Sequence, residues 1–186
     1  MEAYTEDFKK RFLNLLSYEF KTFDVQLVLS ILDPNLTTKA DDQDDEVADV
    51  NFSHKDLERH INLYDLKRLE AYAANISDYH LITDLVPTVS KLFFLKLISK
   101  QIKLSYAQAA ILIGMGLQHK YIESVATELK LPISQALALF NKSIRKFTQY
   151  FKRMYEKDIE KGMKKAEKQV ISSYTLIGVN ICTFSS

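Results

Sequence analysis

Between residues 122 and 151 the apolar positions repeat every three or four residues and break once. Ile122, Val125, Ala126 and Leu129 fall at i, i+3, i+4 and i+7, one stripe of a short helix. Leu131-Pro132 ends that pattern, because proline cannot donate within a helix and biases the preceding residue away from α. Apolar residues restart at Ile133, Leu137, Phe140, Ile144, Phe147 and Phe151, which predicts a second, longer helix with Ser134 opening or capping it. Two helices joined by a tight turn read as a helix-turn-helix.

The rest of the chain follows the same period. Residues 7–20 predict an amphipathic helix with Phe8, Phe12, Leu15, Leu16 and Phe20 on one face and Lys9, Lys10 and Arg11 outside it. Asp24 can cap a helix over residues 25–32 that stops at Asp33-Pro34. Ser53 opens another helix, with Asp56 three residues on as a near capping box. Residues 64–80 are predicted helical, with Leu66, Leu69, Tyr72 and Ala73 on one side. Residues 81–100 continue as helix after a reset at Pro87, apolar nearly all round and therefore central. Residues 107–117 predict a helix rich in small residues, where Gly114 and Gly116 permit close packing or end the helix. Beyond Arg153 a highly charged run extends the last helix as a solvated, fraying segment with Gly162 a weak point. The final stretch, VISSYTLIGVNICTFSS, is of β type and reads as a poorly ordered tail.

Composition narrows the class. Of 186 residues, 47% are hydrophobic and only four are glycine and three proline, which suits an all-α, compact multi-helix bundle. The division expected is a helical domain over residues 1–155 and a charged helical extension with its tail over 156–186. An acidic loop at about 37–52 carries Asp41, Asp42, Asp44, Asp45, Glu46 and Asp49. The lone Cys182 allows no internal disulfide and no cysteine metal cage, which fits a reducing compartment. The N-terminus has no signal-peptide pattern, and no apolar run is long enough for a membrane span.

Charge changes the picture more than composition does. The net charge is +1. From Gln101 onward, however, there are 13 Lys/Arg against 6 Asp/Glu (+7), leaving 12 against 18 (−6) in the first hundred residues. Lys142, Arg145, Lys146, Lys152 and Arg153 are cationic with no acid between 142 and 153, and Lys142, Lys146, Gln149 and Arg153 sit at i, i+4, i+7 and i+11. A basic stripe opposite an apolar one is what a helix lying along a phosphate backbone needs. Ordinary solvated lysines are the bland alternative. His119 and Lys120, at the turn before the helix-turn-helix, complete the candidate RNA-binding set, and His119 serves equally well as a structural cap.

Catalytic chemistry finds little support. His80 and Asp84 stand at i, i+4, but two groups make no metal site, and Asp78, His80 and Asp84 fit a hydrogen-bonded or capping arrangement better. The acidic loop lacks EF-hand spacing and its glycine. Gly114-Met115-Gly116 lacks the strand, the third glycine and the GK[ST] of a phosphate loop. No HExxH and no nucleophile elbow occur. The residues alone therefore predict no catalytic residue, metal or cofactor in this chain.

Three motifs resemble one known family. DFKKRFLNLLSYEFKTF, then YDLKRLEAYAANISDYHLITDLVP, then GLQHK with LPISQALALFNKSIRK, follow in the order seen in the C-terminal tRNA-binding region of the eukaryotic RNA cytidine acetyltransferases, over about residues 5 to 170. The resemblance implies a piece of a larger N4-acetylcytidine-forming enzyme whose helicase-like ATPase and GNAT domains, with their ATP and acetyl-CoA, lie outside this chain. It further implies small-subunit rRNA and tRNA as partners and a nucleolar location. The acidic insertion and the tail after Gln169 depart from that pattern, since the family usually ends in a long lysine-rich extension.

Three functions are then open. The first is an RNA-binding module that positions substrate for the neighbouring acetyltransferase domain. The second is a helical docking or dimerisation module of the same enzyme. The third, a DNA-binding helix-turn-helix, is disfavoured because Ser134, Gln135 and Ala136 are a poor set for reading base edges.

Overall fold

The computed structural model describes residues 2–33, 52–98 and 101–176. The predicted acidic loop, apart from Phe52, and the chain from residue 177, with Cys182, lie outside them. Among the described residues every regular element is helical. In chain order these are α1 (Glu2–Leu15), α2 (Val25–Leu32), α3 (His54–His60), α4 (Leu63–Ala73), a 3-10 turn (Tyr79–Ile82), α5 (Val86–Phe94), α6 (Tyr106–Leu112), a π turn (Ile113–Leu117), α7 (Ile122–Glu128) and α8 (Ile133–Leu176). No helix there is long and apolar enough to cross a membrane.

Local chemistry sets the starts. Asp24 accepts from the backbone N–H groups of Gln26 and Leu27, and Ser53/Asp56, Asn62/Asp65 and Ser105/Gln108 form reciprocal capping boxes. At α8 the N–H groups of Gln135 and Ala136 donate to the carbonyl of Pro132, so Ser134 lies in the first turn and is not the cap.

The ends depart from the sequence expectation. α4 stops at Ala73, seven residues short of His80, and α5 stops at Phe94. Asn75, Lys96 and Lys130 each adopt left-handed φ (57°, 59° and 55°) just past a helix. Behind each, two N–H groups fold back onto the last turn: Ile76 to Ala71 and Asn75 to Tyr72, Leu97 to Leu92 and Lys96 to Phe93, Leu131 to Ala126 and Lys130 to Thr127. These are Schellman ends made without glycine. After the reversal at Lys96, Ile98 and Ile102 are both buried in the core.

α8 is the spine. Phe140, Ile144, Phe147, Phe151 and Tyr155 are buried along one face, and α3, α4, α6 and α7 pack against it. α5 is buried nearly all round, as its pattern predicts. α1 buries Phe12 and Leu13, whereas Phe8 and Leu15, expected on the same face, are exposed; the chain turns after Leu15, short of the predicted end at Phe20, and Leu16 is buried in that turn.

The expected helix over 107–117 divides into α6 and a π turn. A Cβ on Gly114 would lie 2.5 Å from Val125 Cγ2, and one on Gly116 would lie 2.0 Å from Ser90 Oγ and 3.1 Å from the Val86 carbonyl of α5. Both glycines therefore serve close packing.

Candidate nucleic-acid interface

The eight candidate side chains divide by what they touch. Arg145 donates from Nε to the Ala73 carbonyl (3.0 Å) and from Nη2 to Asn75 Oδ1 (3.1 Å), closing the open end of α4. Lys146 donates to the Lys103 carbonyl (2.5 Å) and reaches Gln108 Oε1 (3.4 Å). Lys152 pairs with Glu70 at 3.3 Å. Lys120 is 10% exposed and donates to Glu128 Oε1 (2.7 Å) and to the Phe23 carbonyl (2.8 Å).

The Lys120 contacts belong to a clamp that the sequence reading missed. Gln118, fully buried, donates to the carbonyls of Phe20 (3.0 Å) and Phe23 (2.9 Å), and Glu128 Oε2 accepts from the Val25 N–H (3.3 Å). The GLQHK motif thus ties the α1–α2 turn to the helix-turn-helix. His119 between them is exposed, with φ of 52°, and supplies the left-handed residue that ends the π turn. Its side chain makes no hydrogen bond or ion pair among the described residues.

Lys142, Gln149 and Arg153 remain exposed, and their side chains hold no hydrogen bond or ion pair among the described residues. Further along, Lys157, Lys164 and Lys168 are exposed in the same state. Lys142, Gln149, Arg153, Lys157, Lys164 and Lys168 are separated by seven, four, four, seven and four residues, so they share one side of α8, where the exposed Glu160 stands between Lys157 and Lys164. That line runs about 39 Å along the helix. Lys161 and Lys165 flank it.

The helix continues where charge takes over. It passes Gly162 and reaches Leu176, and from residue 156 to 166 every side chain is exposed. The root of this arm is held by α3: the Tyr155 hydroxyl donates to the Ile61 carbonyl (2.7 Å), His54 packs edge-on against the Tyr155 ring (4.3 Å), and His54 Nδ1 lies 3.4 Å from Asp158.

The other chemistry candidates resolve as structural. Asp78 caps the 3-10 turn at the Tyr79 N–H (2.6 Å). Asp84 pairs with Arg68, whose hydrogen bond holds the Asp84 carboxyl below the usual carboxylate range. His80 packs its ring, tilted, against that of Tyr79. Among the described residues no group of three or more His, Cys, Asp and Glu side chains could hold a metal ion.

Comparison with known proteins decides the family. The family described as a possible tRNA binding domain matches residues 1–177. The chain belongs to that family. It is 41% identical over 176 residues to an RNA cytidine acetyltransferase of Homo sapiens, covering 95% of this chain and 16% of the relative. It is 38% identical over 165 residues to that of Dictyostelium discoideum (89% and 16%) and 36% identical over 169 residues to that of Saccharomyces cerevisiae (91% and 16%). The chain therefore spans about one sixth of the length of these relatives, which bear out the resemblance carried by the three motifs.

Proposed function

We propose that this chain is the RNA-binding module of an RNA cytidine acetyltransferase, holding rRNA or tRNA for N4-acetylation of cytidine by a domain outside it. The supporting observation is the line of unpartnered cations Lys142, Arg153, Lys157, Lys164 and Lys168 on the side of α8 that the core leaves open. Five positive charges along about 39 Å, against the single carboxylate of Glu160 set among them, follow a phosphate backbone and position RNA without reading its sequence. Arg145, Lys146, Lys152 and Lys120 act indirectly, by holding the bundle that presents the line. On this reading the chain catalyses nothing alone, acetyl-CoA and ATP act elsewhere in the parent enzyme, and the protein is nucleolar.

The test is binding of tRNA to the chain at about 50 and 200 mM salt. Five phosphate contacts to a single strand give a log–log slope near about −3.5. The variant Lys142→Glu/Arg153→Glu/Lys157→Glu/Lys164→Glu should stay folded, lose more than about tenfold in affinity and flatten the slope. Unchanged binding by that variant would sink the assignment. A docking role is the second reading, favoured by Ile159 and Met163, which stand one turn apart on the arm and are 59% and 61% exposed. Self-association that does not weaken with salt would support it.

A further inference from the structure

An open cleft of about 340 Å3 lies where the end of α4 and the 3-10 turn meet α7 and α8. Tyr72 and Tyr79 are among the residues that line it, as are the acids Asp78 and Glu123. None of the residues lining it is cationic, although Arg145 donates to the lining Asn75 and the neighbouring surface of α8 is basic.

Its polar groups are incompletely used. The Ser77 hydroxyl is buried without a partner, an unusual state for a polar atom in a folded protein. Asn141 accepts from the Tyr72 hydroxyl through Oδ1, which leaves its amide N–H groups free to donate. Among the described residues Glu123 makes no side-chain hydrogen bond.

Carboxylate acceptors beside an amide donor, with tyrosines in the same lining, match a planar edge that carries an N–H2 donor next to a ring-nitrogen acceptor. Cytosine and adenine have that edge, and uracil presents the reverse order. Unpaired RNA bases are commonly held by stacking on aromatic side chains with hydrogen bonds to this edge. We infer that the cleft takes an unpaired, amino-bearing nucleobase, cytosine or adenine, while its phosphates lie toward Lys142, the residue after Asn141 on α8. The inference rests on the RNA-binding reading and gives it base selectivity that the cationic line lacks.

The test uses free nucleosides, which carry no phosphate. Cytidine, adenosine and uridine are titrated against the isotope-labelled chain and followed by NMR at Ser77, Tyr79 and Asn141. Cytidine and adenosine should shift these signals with about tenfold higher affinity than uridine. Glu123→Gln, at an exposed position, and Asp78→Asn, which retains a capping oxygen, should reduce that preference to within about twofold. No shift, equal shifts for all three nucleosides, or an unchanged preference in both folded variants would overturn the inference. Salt-dependent tRNA binding without nucleoside binding removes the cleft alone. Nucleoside binding without salt-dependent tRNA binding removes the cationic line instead.

Discussion

From residue 133 to 155, α8 is packed between four other helices, and its basic side chains Arg145, Lys146 and Lys152 end on carbonyls, amides or a carboxylate. From residue 156 to 166 the same helix touches little, and Lys157, Lys161, Lys164 and Lys165 end in solvent. The residue types are the same and the surroundings differ. A lysine with a buried aliphatic stem and a fixed carbonyl partner holds the fold, while a solvated one keeps its charge available to a mobile anion. The helix is therefore a structural spine in its first half and an electrostatic surface in its second, with Lys142, Gln149 and Arg153 bringing the free line back across the bundle.

The sharpest contrast is apolar. Phe147→Ala, in the fully buried stripe, should cost about 3 to 5 kcal/mol, and Met163→Ala on the arm less than about 0.5 kcal/mol, by denaturant unfolding. Equal losses would mean the arm is packed against something. Next come the cations. Lys120→Met breaks a largely buried pair and strands Glu128, for about 2 to 3 kcal/mol, whereas Lys164→Met should stay within about 0.5 kcal/mol while weakening tRNA binding. A smaller effect is expected at Gly162, where an added Cβ meets nothing within 4 Å. Gly162→Ala should stabilise the arm by up to about 1 kcal/mol and raise helical circular dichroism; no gain would show that the arm is not helical on its own. Lys130→Gly should stabilise the whole chain by a similar amount, about 1 kcal/mol, by relieving left-handed backbone in a non-glycine residue.

The mildest test is alkaline. Burial, with the Asp78 carboxylate adding and Arg145 opposing, pushes the Tyr72 hydroxyl up to about 12 from its ordinary 10. A raised folded value means the folded state keeps a proton that the unfolded chain has lost. This contribution is full below pH 10 and disappears as pH rises toward 12, so the thermal midpoint should fall over that interval. In Tyr72→Phe that part of the decline should be missing; an identical decline would remove Tyr72 as its source.

Several features were legible residue by residue. The apolar spacing through Phe140, Ile144, Phe147 and Phe151 located the buried face of α8, and Asp24, Ser53 and Pro132 marked helix starts. The family was legible too, because its motifs are local strings. The ends of α4 and α5 were not, since lysine and alanine at Lys96 and Ala74 are good helix formers and only burial of the following chain reverses them.

The division of labour among the cations was the larger omission. Helical periodicity fixes which side chains share a face, and Lys142, Lys146, Gln149 and Arg153 do lie on one side of α8. Whether such a side chain meets water, a carbonyl or a carboxylate depends on residues far away in sequence: Lys103 for Lys146, Ala73 and Asn75 for Arg145, Phe23 for Lys120. The sequence by itself determined an all-helical chain, its central apolar stripe and its basic C-terminal half, because helix period and composition are local properties. Only the tertiary structure decided which of those charges are spent on the fold and which stay free, because hydrogen-bond partners are set by chain crossings that no local pattern encodes.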